Sequence, residues 1–102
     1  MTENLIKVTL KQQHDYRFDI HFDAAMPIVT SDEPAPLGTG LGPSPVQLLC
    51  AAVGNCLSDS LLFALRKFKQ SPEPINCVVE AQVGRNAEGR MRVLQMLSLI
   101  HI

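Results

Sequence analysis

The sequence has no tryptophan and a single tyrosine, so the large aromatics that anchor many small cores are scarce. It has no excess of either charge: nine Lys and Arg stand against ten Asp and Glu, a net charge of -1. No basic cluster rises above that balance, which leaves a nucleic-acid or membrane-surface partner without electrostatic support. Cys50, Cys56 and Cys77 are odd in number, and there is no C-x-x-C and no His-rich spacing. Neither a disulfide framework, nor a metal site, nor a cofactor is expected. The start, Met1-Thr2-Glu3-Asn4, lacks the basic residues and apolar run of a signal peptide. A reducing, cytoplasmic compartment is the simplest expectation. No G-x-G-x-x-G follows a strand and no Walker lysine is present, which weakens any phosphate-loop reading.

What is there fits one domain. The chain is 102 residues long and 46% apolar, and at that size only about 60–70% of the unfolded surface can be buried. Ile6, Val8 and Leu10 alternate with polar neighbours, predicting a half-buried strand that the polar run 11–15 breaks. Tyr16, Phe18, Ile20 and Phe22 alternate with Arg17, Asp19, His21 and Asp23, predicting a second strand antiparallel to the first. A short extended piece is expected over 27–30. Residues 31–44 are dense in Pro and Gly, which excludes helix and central strand. Loops of this length inside a domain are often functional.

Ser44-Pro45 predicts a helix start, with Ser as N-cap and Pro at the first helical position. The helix is expected to run to about Gln70, ending in Arg66, Lys67 and Lys69 before Pro72 and Pro74. Its residues 46–65 are largely apolar, but Gln47, Asn55, Ser58, Asp59 and Ser60 argue against a membrane span. A helix apolar on most sides is buried on most sides, so a partner subunit is expected. Two further strands follow, over 75–83 and from 90 to 96, joined by a tight Asn86-Ala87-Glu88-Gly89 turn. The order strand, strand, loop, helix, strand, strand gives an α+β class built of hairpins. The last six residues, 97–102, look like an in-frame translation of the transposon-end adapter used in shotgun libraries. On that reading the native domain occupies 1–96 and is partial.

Taking 100° per residue, Cys50 and Cys56 lie about 120° apart and about 9 Å along the axis, too far to bridge. Cys56 shares a face with Leu49, Ala52, Val53, Ser60 and Phe63, and beside it runs a stripe of Asn55, Asp59 and Arg66. That stripe either lines a pocket beside the thiol or is the solvated edge of the helix. Mid-helix placement keeps Cys56 from the helix N-terminus, so a reactive thiolate needs a cation from elsewhere. Arg17 is the only arginine before the helix, on a strand face that a solvated sheet would explain equally well. Cys50 and Cys77 are expected to be small core residues, and His14 and His21 show no ligand spacing.

Gly42-Pro43-Ser44-Pro45, Leu48-Leu49 and Ala51-Ala52-Val53-Gly54-Asn55-Cys56-Leu57 resemble the OsmC/Ohr family, whose motif is a Pro-led helix with small residues before a helical cysteine. The match is good over residues 32–67 and follows the hairpins in order and length. The resemblance implies antiparallel hairpins packed on one long central helix, with this chain ending before a second helix. It also implies an intertwined homodimer and a thiol-dependent hydroperoxide reductase serving the oxidative stress response. Cys56 takes the reactive position, and Arg17 is its cation by exclusion. The carboxylate that pairs with the catalytic Arg in that family falls here on Val46. The family's Gly-Gly-Arg loop is not recognisable, and its resolving cysteine lies beyond this chain. The rival readings are a non-catalytic dimeric module for a small apolar ligand, and a merely structural thiol.

Overall fold

The computed structural model describes residues 4–102 and divides into two compact units, a first up to Pro45 and a second from Val46 onward. In the first unit, β1 (Thr9–His14), β2 (Arg17–His21) and β3 (Val29–Ser31) form an antiparallel sheet in that order. Leu10 faces Ile20 across the first ladder, and Ile20 faces Val29 across the second. Ile20 is the buried apolar side chain of this sheet, 4% exposed. Thr30 Oγ1 donates to Asp19 Oδ1 at 3.1 Å and adds a side-chain tie to the β2–β3 register.

The first strand departs from its sequence pattern. The polar run expected to end it is most of β1, and Ile6 lies outside the strand. The chain reverses at Asp15, whose φ is +50, a left-handed conformation that Asp tolerates better than most residues. Gln12 Nε2 donates to the Asp15 carbonyl at 3.0 Å and helps close the turn. Pairing with β2 carries Gln12 into the ladder opposite Phe18, and Gln13 stands in the irregularity between Gln12 and His14, without any apolar periodicity of their own.

The second unit holds almost all of α1 (Pro45–Lys67) with β4 (Asn76–Arg85) and β5 (Met91–His101), paired as a long antiparallel ribbon. The helix begins at Pro45, as Ser44-Pro45 predicts, and Arg66 and Lys67 occupy its last turn. It stops short of Gln70. Lys69 adopts φ +58, with its N–H on the Arg66 carbonyl and the Gln70 N–H on the Leu65 carbonyl, both at 3.0 Å. This is a Schellman cap with lysine where glycine is usual. The Asn86–Gly89 turn forms as expected, with Gly89 at φ +78 and Asn86 Oδ1 accepting from the N–H groups of Glu88 and Arg90. Residues 97–101 continue β5 and pair with 76–80, because Leu97, Leu99 and their neighbours keep the period of a strand.

Gly54 is where helix and ribbon meet. It is the buried residue of α1, and a Cβ added there would lie 2.6 Å from Val79 Cγ2 and 3.3 Å from Cys77 Sγ. The remaining faces of α1 are largely open: 6% of its most apolar window is buried, at a mean hydropathy of 1.7. By length and composition such a helix could cross a bilayer, and the core helix of a soluble protein passes the same test. Among the described residues Ile20 is the single buried hydrophobic, whereas Leu49, Leu57, Phe63, Val78, Leu97 and Leu99 are exposed.

Two outcomes follow. Gly54→Val should lower stability by about 1–3 kcal/mol through overpacking against Val79, read as a drop in thermal midpoint. An unchanged midpoint would mean that helix and ribbon separate freely. The purified chain should self-associate in detergent-free buffer, since so little apolar surface is covered. A monodisperse, cooperatively unfolding monomer in sedimentation and light scattering would contradict this.

Candidate functional site

Cys56 follows Gly54 by two residues, which turns it about 160° around the helix axis from the contact with β4. It therefore faces away from the ribbon and is exposed, so the expectation that the helix is buried on most sides does not hold at this residue. The physical reason is that β4–β5 covers one side of α1 and the thiol sits on the other. The thiol is accessible to a solute. The polar stripe beside it is the solvated edge: Asn55 Nδ2 donates to Asp59 Oδ2 at 3.3 Å, and Arg66 pairs with Glu73. Asp59 and Arg66 line an open cleft of about 510 Å³ with Leu62, Phe63 and Lys67. Lys67 Nζ stands 4.9 Å over the Phe63 ring. The helix's last-turn cations are thus engaged locally.

The other two thiols meet elsewhere. Cys50 and Cys77, both half-buried, line a cleft of about 410 Å³ with Gly54, Asn55, Ser58 and Val79. They are not close-packed core residues, as the sequence led one to expect. Cys50, Gly54 and Ser58 recur every four residues, so the small side chains form a strip facing β4. That spacing was the available signal.

Arg17 opens β2 and is not a loosely solvated residue. Its Nη2 donates to Thr39 Oγ1 at 2.8 Å and its Nε lies 3.7 Å from Asp32 Oδ2, leaving the side chain 23% exposed. Asp32 is 3% exposed and is the hub of the loop before α1. It accepts from the Thr39 hydroxyl at 2.7 Å and from the backbone N–H groups of Glu33, Thr39 and Leu41. The Thr39 hydroxyl, aided by the N–H groups of Leu41, Thr39 and Glu33, lowers its pKa to about 2, against burial that acts upward. Sequence reasoning passed over Asp32 and Thr39, because a carboxylate seven residues before a threonine carries no motif. Arg17's hydrogen-bond and ion-pair partners both belong to the first unit, and Cys56 belongs to the second. Among the described residues no group of three or more His, Cys, Asp or Glu side chains could hold a metal.

No family model matches the chain, and no curated protein matches it. A solved structure does: a protein from Psychrobacter arcticus 273-4 named for an osmotic stress induced and detoxification response, at TM-score 0.81 and 17% identity, over 97% of this chain and 71% of that one. The fold is OsmC-like. It is α+β, with antiparallel strands and one long helix, as the resemblance implied. In this OsmC-like frame Cys56 occupies the middle of the long helix and Val46 its first turn.

Because the folded-state pKa of Asp32 is depressed, its contribution to stability is present above the unfolded carboxylate value of about 4. It is lost as pH falls through that value toward 2. Urea unfolding between pH 5 and 2 should show a steeper decline for the native chain than for Asp32→Asn. Parallel declines would show that the carboxylate's charge does not hold the loop.

Proposed function

We propose that this OsmC-like protein is a thiol-dependent hydroperoxide reductase acting in the oxidative stress response, with Cys56 as the attacking thiol. The observation that carries this reading is the exposed sulfur on the open face of the long helix, in a fold shared with a protein named for detoxification. The Cys56 thiolate attacks the distal oxygen of an organic hydroperoxide, and the O–O bond breaks. The alkoxide takes a proton and leaves as an alcohol, and Cys56 becomes a sulfenic acid. An external thiol then condenses with the sulfenic acid, releasing water, and a second reduces the mixed disulfide. Arg17, already oriented by Asp32 and Thr39, is the proposed source of the positive charge that favours thiolate. A second copy of the chain, packed on the exposed face of α1, is the proposed partner that excludes water from the thiol.

The rival is a non-catalytic dimeric module for a small apolar ligand. Val46 at the place of the expected carboxylate favours it, as does the cleft beside Leu62 and Phe63. Trapping of sulfenic acid with a 1,3-dione after addition of cumene hydroperoxide separates the two. Cys56→Ser should abolish trapping, and Arg17→Ala should slow it about tenfold through a smaller thiolate fraction. Cys50→Ser and Cys77→Ser should leave it nearly intact. Loss of trapping in Cys77→Ser alone would move the chemistry from Cys56 to Cys77, and no trapping in the native protein would favour the binding module.

A further inference from the structure

We propose that Cys50 and Cys77 form a second oxidisable centre, a dithiol that closes to a disulfide tying α1 to β4 and operates independently of Cys56. Three observations converge on it. Both sulfurs line one cleft and both residues are half-buried, so they are shielded yet reachable by a small reagent. The helix comes unusually close to the strand at this point: Cys77 Sγ lies 3.3 Å from where a Cβ on Gly54 would be. Cys50 sits one turn before Gly54 on the same face, where Cβ positions are about 5–6 Å apart. The Cys50 Cβ is therefore within about 9 Å of Cys77 Sγ, and Gly54, between them on the helix, adds no side chain of its own, Val79 being the neighbour that packs there. Rotation about χ1 moves the sulfurs but not the Cβ atoms, so reaching the Cβ–Cβ spacing of about 3.8 Å that a disulfide requires takes a sliding of α1 along β4, which the open outer faces of the helix permit. Lastly, Ser58 Oγ, one turn beyond Gly54, is buried in this cleft wall without a hydrogen-bond partner. It is an unpartnered polar group in the same cleft.

The chemistry is thiol–disulfide exchange with a low-molecular-weight disulfide. One thiolate of the pair attacks a sulfur of oxidised glutathione, forming a mixed disulfide and expelling one glutathione thiolate. The second cysteine, deprotonated, attacks the protein sulfur of that mixed disulfide and expels the other. Two protein thiols and one oxidised glutathione become one protein disulfide and two reduced glutathiones, so electrons and protons balance. Cys56, on the opposite face of α1, takes no part. Redox-linked pinning of helix to ribbon and hydroperoxide chemistry on the open face thus occupy separate sides of one element.

The test uses Cys56→Ser, which removes an exposed thiol and with it any hydroperoxide chemistry, so the outcome does not depend on the function proposed above. The protein is equilibrated in glutathione redox buffers with and without denaturing urea, quenched in acid, alkylated and analysed by mass spectrometry. The expected product in the folded protein is an intramolecular link between the tryptic peptides carrying Cys50 and Cys77. It should form at an oxidised-to-reduced glutathione ratio at least tenfold lower than in urea. In Cys50→Ser/Cys56→Ser and Cys77→Ser/Cys56→Ser the surviving thiol should stop at the glutathione adduct. Separate glutathione adducts on both cysteines of the folded Cys56→Ser protein, a link between two chains, or equal pairing with and without urea would each overturn the proposal.

Discussion

The carboxylate of Asp32 organises the stretch that leads from β3 to the helix. That stretch is too rich in proline and glycine to build a ladder of its own, and its few backbone bonds include Asp32 N–H to the Pro43 carbonyl and Gly40 N–H to the Glu33 carbonyl. Donors from Glu33, Thr39 and Leu41 converge on one side chain that starts the loop. A charge held this way is stabilised by fixed dipoles more than by its ion pair, which is why neutral donors dominate its lowered pKa. Arg17 then inherits its orientation from a carboxylate that is already anchored.

Much of this architecture was legible. The clear period of two from Tyr16 to Phe22 located β2, Ser44-Pro45 located the helix start, and Asn86–Gly89 located the ribbon's turn. β1 was misplaced because its residues pair through backbone groups, to which side-chain polarity is indifferent. The end of α1 was overrun because a left-handed lysine leaves no trace that a glycine would have left. The covering of α1 around Cys56 was overestimated for a different reason. Apolar composition reports that a helix face wants covering, not which neighbour covers it or when.

The three cysteines show how one helix separates chemistries by angle alone. Cys50 and Cys56 are six residues apart in sequence, yet one shares a cleft with β4 and the other is open to solute. Gly54 between them sets the division. By admitting the ribbon to within contact of the backbone, it makes one side of the helix an interior wall and the other a free surface.

The ribbon itself carries an unusual consequence. Near its open end β5 offers Leu97 and Leu99 to one face and Ile100 to the other, while β4 offers Val78 to one and Cys77 and Val79 to the other. Where both faces are apolar, a one-residue slip of pairing exposes little that was hidden, and hydrophobic patterning loses its grip on register. Alignment then has to be dictated from the far end, by the Asn86 side chain clasping the turn and by the irregularity between Gln82 and Val83. Which residue of β5 stands beside Cys77 is in that sense decided by an asparagine about ten residues away.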